Sequence, residues 1–144
     1  MAAVLIAADA TALINEVTAA AEGPDVEVHS VRAGIDVLPF VLEHDPDLVV
    51  LDLQIGNMGG MAACMHLRLE EGADRIDHVP VLMLLDRRAD VFLARRSGAE
   101  GWMVKPLNPI KMRKAVHALL AGETYHDDTA APPPSRPRPD LKVG

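Results

Sequence analysis

Three charged side chains stand at the ends of apolar runs, and their types could do chemistry together. Asp9 follows the run over residues 3–7, Asp52 ends the run over residues 48–51, and Lys105 follows the run over residues 101–104. Short continuous apolar runs are typical of strands buried in a parallel sheet, whose carboxyl ends meet at one edge. We therefore expect two carboxylates and one ammonium to share a small pocket.

The elements that would position these residues follow from periodicity. The pattern predicts strands over residues 3–7, 26–30, 48–51, 79–85 and 101–104, and helices over residues 10–22, 36–44, 61–71, 87–96 and 109–121. Asp9 and Asp36 are candidate caps of the first two helices, and Asn108-Pro109 opens the last one. Five strands that alternate with five helices over short loops predict a doubly wound α/β fold with a five-stranded parallel sheet.

Length and composition favour one globular domain followed by a tail. The chain has 144 residues, 49% of them hydrophobic and 24% charged. We predict a domain over residues 1–121 and an extended, Pro-rich tail over residues 122–144. Cys64 is the only cysteine and reads as a core residue, so no internal disulfide forms. No signal peptide or membrane-inserting segment is evident, which indicates a cytoplasmic protein.

The formal net charge of -7 is distributed unevenly. Residues 86–121 hold eight of the 14 basic residues and only three of the 21 acidic ones. Apart from Lys105, the basic residues of this region are predicted on or beside the fourth and fifth helices: Arg87, Arg88, Arg95, Arg96, Lys111, Arg113 and Lys114. Such a face on an acidic protein could steer an acidic partner, although a solvated basic face is the simpler interpretation.

Four blocks of the sequence, in this order, resemble the receiver domain of two-component response regulators: VLIAADA, PDLVVLDLQIGNMGG, VPVLMLL and GAEGWMVKPLNP. The resemblance covers residues 3–121 and implies a flavodoxin-like sheet of strand order 2-1-3-4-5. It also implies that Asp52 accepts a phosphoryl group from a histidine kinase. Asp9 would then help to hold Mg²⁺ together with Asp52, and Lys105, before Pro106, would contact the phosphoryl oxygens.

The chain departs from the family pattern at the same site. Ala8 replaces the first acid of the Mg²⁺ pair, and Leu85 replaces the Thr or Ser that contacts the phosphoryl group. Gly56 replaces a proline of the phosphoacceptor loop, and Trp102 replaces the Tyr or Phe at the switch position, where packing is the simpler role. Mg²⁺ binding should therefore be weak, and no other cofactor is implied.

Two hypotheses remain open from the sequence. In the first, the chain is a stand-alone, atypical receiver that is not an enzyme, works docked on a larger protein assembly, and is phosphorylated weakly or not at all. In the second, it is a conventional single-domain response regulator that a histidine kinase phosphorylates on Asp52. Asp52 and Lys105 could also be only a retained buried ion pair, and Asp9 only a helix cap. No DNA-binding domain or DNA-reading helix is evident.

Overall fold

A fully parallel six-stranded sheet forms the centre of the molecule, with strand order β2-β1-β3-β4-β5-β6. The computed structural model describes residues 1–127. Its strands are β1 Ala2–Ala7, β2 Val26–Val31, β3 Leu48–Asp52, β4 Val81–Leu85, β5 Gly101–Val104 and β6 Tyr125–His126. Its helices are α1 Thr11–Ala21, α2 Val37–His44, α3 Gly60–Gly72, α4 Val91–Ser97 and α5 Pro109–Leu120. The predicted doubly wound α/β fold and the order of the first five strands are confirmed.

Helices cover both faces of the sheet, and strand alternation divides the core in two. Helices α1 and α5 pack on one face, and α2, α3 and α4 pack on the other. Every residue of β3 and β4 is buried, as their unbroken apolar runs predict. Cys64 lies in the half of the core under α2, α3 and α4 and is fully buried. This burial raises the pKa of its thiol to about 11. A thiol in this environment is a poor nucleophile.

The helix starts agree with the sequence in one case and differ in two. Asn108 caps α5 as predicted, because its side-chain oxygen accepts hydrogen bonds from the backbone N–H groups of Ile110 and Lys111. Asp9 does not cap α1, whose N-cap is Ala10. Asp36 occupies the predicted N-cap position of α2 but makes no side-chain cap hydrogen bond, and a short 3₁₀ turn over Gly34–Asp36 leads into the helix. A second such turn, Arg88–Asp90, leads into α4.

The sixth strand lies beyond the predicted domain boundary at residue 121. Tyr125 and His126 pair in parallel with Gly101 and Trp102 of β5. A Cβ atom on Gly101 would meet the Tyr125 carbonyl oxygen at 2.8 Å, so the close approach of β6 depends on this glycine. The sheet thus includes residues that the sequence assigned to the tail, while residues 128–144 lie outside the described part of the chain.

Candidate phosphoacceptor site

Asp52 lies at the carboxyl end of β3 and is only 3% exposed. Its Oδ1 accepts hydrogen bonds from the ammonium of Lys105 at 2.9 Å and from the backbone N–H of Gln54 at 3.3 Å. Helix α3 begins against it, since a Cβ on Gly60 would meet the Asp52 carbonyl oxygen at 2.6 Å. The predicted pairing of Asp52 with Lys105 is present, and the paired ammonium offsets the cost of burying the carboxylate.

Asp86 is a functional candidate that the sequence analysis missed. Its Oδ1 lies 2.8 Å from the Lys105 Nζ, so Lys105 bridges two carboxylates. The register explains the contact: Leu85 pairs with Val104, and Asp86 and Lys105 come one residue later on the two strands. Because side chains alternate between faces, Asp86 continues the face of Leu82 and Leu84 rather than that of Leu85. Counting this alternation past the end of β4 could have found it.

The two carboxylates also act on the proton affinity of Lys105. Partial burial lowers the pKa of the Lys105 ammonium, but hydrogen bonds and charge attraction from Asp86 and Asp52 outweigh burial and raise the pKa above its usual value. Lys105 is therefore fully charged at neutral pH. It precedes Pro106 through a cis peptide bond.

Asp9 lies at the rim of the site and is not part of the ion pair between Asp52 and Lys105. Its side chain is exposed, and its Oδ2 accepts a hydrogen bond from the backbone N–H of Gly56 at 3.2 Å. Ala8, where the family pattern has an acid, is fully buried. The hydrogen bond between Gly56 and Asp9 links the loop after β3 to the loop after β1.

The resemblance to receiver domains implies that Mg²⁺ binds beside Asp52. Within residues 1–127, no group of three or more His, Cys, Asp or Glu side chains is arranged to hold a metal ion. Asp9 and Asp52 remain as two candidate oxygen ligands, and Lys105 already occupies one oxygen of Asp52. The residues therefore do not form a full magnesium site.

Leu85, at the position of the missing hydroxyl, and Trp102, at the switch position, are both packed into the core. Leu85 is fully buried on the α2–α3–α4 side of the sheet, and an isobutyl group offers no hydrogen-bond donor. Trp102 is 2% exposed and stacks on His126 of β6, with ring centroids 4.0 Å apart and an angle of 3° between the ring planes. The guanidinium of Arg95 lies 5.1 Å from the Trp102 ring centre. A packing role for Trp102 agrees with these contacts.

The seven predicted partner-face residues fall in two groups, on or beside helices that pack on opposite faces of the sheet. Those on and before α4 are Arg87, Arg88, Arg95 and Arg96, and those on α5 are Lys111, Arg113 and Lys114. Arg87 binds the buried Asp90, with Nη2 and Oδ1 2.8 Å apart. Arg113 instead lines a cavity of about 560 Å³ between α1 and α5, together with Leu13 and Met112. The basic residues therefore do not form one continuous patch.

An open parallel sheet with helices on both faces, and with a buried Asp and a Lys at the carboxyl ends of β3 and β5, defines a flavodoxin-like α/β domain. The family comparison makes this more specific: the sequence model of the response regulator receiver domain matches residues 4–117. The chain belongs to this family.

Curated relatives agree with the family assignment. The DNA-binding response regulator MtrA of Mycobacterium tuberculosis (strain ATCC 25618 / H37Rv) is 32% identical over 119 residues, which cover 81% of this chain and 50% of MtrA. The nitrate/nitrite response regulator protein NarL of Escherichia coli (strain K12) is 33% identical over 88 residues, or 61% of this chain and 39% of NarL. The chain spans about half the length of the mycobacterial relatives that it matches, and 39% of the length of NarL.

Solved structures agree on the fold. The chemotaxis response regulator CheY4 of Vibrio cholerae superposes with a TM-score of 0.73 at 24% identity, over 83% of this chain and 98% of CheY4. The isolated receiver domain of RcsB from Salmonella enterica serovar Typhimurium gives a TM-score of 0.76 at 16% identity, over 90% of this chain and 96% of that one. None of the described helices has the length and apolarity needed to cross a membrane.

Proposed function

We propose that this chain is an atypical receiver domain that acts by protein–protein contact, docked on a larger partner assembly, and that Asp52 is phosphorylated weakly or not at all. The observation that carries this proposal is the pair of losses around an intact Asp52–Lys105 contact. Leu85 presents no hydroxyl at the end of β4, and Ala8 contributes no carboxylate beside Asp9.

The size of each loss supports weak phosphorylation. A phosphoryl oxygen that faces the Leu85 side chain instead of a hydroxyl forfeits roughly 1–3 kcal/mol of hydrogen bonding. The missing acid at Ala8 removes a ligand from the Mg²⁺ site, so the proposed metal binding is weak. Neither loss disturbs the fold, since both positions are buried among apolar side chains.

The alternative is a conventional single-domain response regulator that a histidine kinase phosphorylates on Asp52. Two observations favour it: the Lys105 ammonium is already 2.9 Å from Asp52, and Asp9 lies close enough to the loop after β3 to bind Gly56. A third interpretation is that the Asp52–Lys105 pair only stabilises the fold, since removing either partner would leave a buried charge unpaired.

The proposed partner contact rests on charge. Arg88 and Arg96 are exposed on the α4 side of the molecule, and an acidic partner surface would be attracted to them. DNA is a weaker candidate for the described residues, because Asp86, Asp90 and Glu100 lie among the basic ones.

Phosphotransfer can be tested on the whole chain. The protein is incubated with a small acyl phosphate and Mg²⁺, and its intact mass is measured over time beside that of an Asp52→Asn variant. The proposal expects only a minor fraction of the wild type to gain one phosphoryl group, and none of the variant. Complete labelling of the wild type would support the conventional response regulator instead.

A further inference from the structure

Lys105 is held by two acids rather than one, and the second acid is unlike the first. The side chain of Asp52 is 5% exposed, whereas that of Asp86 is 43% exposed, and each has an oxygen within 2.9 Å of the Lys105 Nζ. Asp86 is thus a negative charge at the open rim of the site. Asp86 pairs with the Lys105 ammonium, which also contacts the candidate phosphoacceptor Asp52.

We propose that Asp86 is a positioning residue that serves as a built-in competing anion: it retains the Lys105 ammonium and so opposes phosphoryl transfer to Asp52. This inference rests on the proposed function, because it gives a further reason why Asp52 would be phosphorylated weakly. It concerns a residue that is neither the missing acid at Ala8 nor the missing hydroxyl at Leu85.

The charge balance of the reaction shows why a second acid matters. An oxygen of the Asp52 carboxylate attacks phosphorus, the bond from phosphorus to the acyl oxygen breaks, and the carboxylate of the donor leaves with the bonding electrons. One negative charge on Asp52 is replaced by about two on the phosphoryl group. That group needs the ammonium of Lys105, and it must either displace Asp86 or share the ammonium with it.

Repulsion adds to this competition. Asp86 and Asp52 contact the same nitrogen atom, so a phosphoryl group on Asp52 would lie within a few ångströms of the Asp86 carboxylate. At the rim the interaction is screened by water and salt, but it is not abolished at this separation. The effect of Asp86 on phosphorylation should therefore decrease as ionic strength rises.

The position of Lys105 does not depend on Asp86 alone. The Lys105 backbone N–H donates to the Leu85 carbonyl oxygen at 2.8 Å, and its side chain keeps the bond to Asp52. Substitution of the exposed Asp86 leaves no cavity in the core. Asp86→Asn keeps the size and one acceptor oxygen of the side chain, so it removes the charge with little other change.

The test compares four proteins: wild type, Asp86→Asn, Asp86→Ala and the control Asp77→Asn. Asp77 is an exposed acid that precedes β4, at the opposite end of the sheet from Asp86. Asp77→Asn changes the net charge by the same amount as Asp86→Asn but leaves the site untouched. Phosphorylation rates are measured by intact mass with a small acyl phosphate and Mg²⁺, at low and at high salt. Binding of inorganic phosphate is measured in parallel from the chemical shift of the Lys105 side chain.

Both Asp86 variants should label about tenfold faster than wild type at low salt and bind inorganic phosphate about tenfold more tightly, with a smaller gain at high salt. Asp77→Asn should behave as wild type. Equal labelling and equal phosphate binding in wild type and Asp86→Asn, including none in either, would overturn the inference. A salt-independent gain would also overturn it. Complete labelling of wild type would instead refute the proposed function, whatever the variants show.

Discussion

Single residues decide how far this receiver domain can behave like its family. Two unit charges about 4 Å apart interact by roughly 4 kcal/mol at an effective dielectric near 20, and by less where water screens a half-exposed pair such as Lys105 and Asp86. Ala8 removes an acid where a cation would bind, and Asp86 adds one where Lys105 is already paired. In the proposed function, both changes weaken the binding of external ions at this site.

Magnesium binding tests the first of these changes. We expect Mg²⁺ to bind with a dissociation constant of about 1 mM or weaker, because Asp9 and Asp52 supply only two carboxylates. The Gly56 amide is a suitable reporter in an NMR titration, since it donates to Asp9. Ala8→Asp should tighten binding, because it adds a third carboxylate beside Asp9. Submicromolar binding by the wild type would contradict this reading of Ala8.

The site residues could be predicted from the sequence only in part. Asp52 and Lys105 stand at the ends of recognisable strands, so their contact follows from the topology of a parallel sheet. Asp86 was missed because its position looks like a loop, and its contact depends on the strand register. The role of Asp9 was misassigned in part, because a carboxylate before a helix is equally suited to capping and to bonding a neighbouring loop.

At the scale of elements, β6 is the feature that the sequence did not indicate. A two-residue strand has no periodicity to detect, and its position depends on Gly101 and Trp102 far away in the chain. Strands β3 and β4 were predictable because every residue in them is buried and their unbroken apolar runs reflect that burial. The side chain of Asp127 also contributes after β6, since its Oδ2 accepts a hydrogen bond from the Val104 backbone N–H at 3.3 Å.

The contacts of β6 should control the environment of Trp102. We expect His126→Ala to expose the indole, with a red-shifted emission and faster quenching by acrylamide, because the His126 ring covers it. Trp102 is the only tryptophan, so the signal needs no deconvolution. Thr124→Ala, at an exposed position just before the strand, is the matched control. Identical quenching in His126→Ala and wild type would show that the β6 contact does not persist in solution.

At the scale of the whole molecule, charge is separated between regions. Residues 86–121 are basic, while the rest of the chain carries most of the acidic residues. Strand β6 is the edge strand next to β5, and α4 and α5 pack on opposite faces of the sheet. We propose that an acidic partner meets the α4 side, because Arg88 and Arg96 are exposed there.

A charge reversal on α4 tests this docking surface. Arg88→Glu with Arg96→Glu should reduce recovery of a partner from an extract of the native cells by at least tenfold, and more strongly at low salt. These two positions avoid Arg95, whose contact with Trp102 would confuse the result. Arg75→Glu, after α3, is the control for a charge reversal elsewhere. Unchanged recovery by the α4 variant would remove this face from the proposal.

Restoration of the two missing groups is the most direct test of the central proposal, which is that Asp52 accepts a phosphoryl group weakly or not at all while the scaffold is retained. The measurement is the intact mass of wild type and of Ala8→Asp/Leu85→Thr after incubation with a small acyl phosphate and Mg²⁺, with Asp52→Asn added to the double variant as the control. We predict little phosphoryl gain in wild type, a several-fold larger gain in the double variant, and none once Asp52 is replaced. Wild type that labels as fully as the double variant would contradict the proposal.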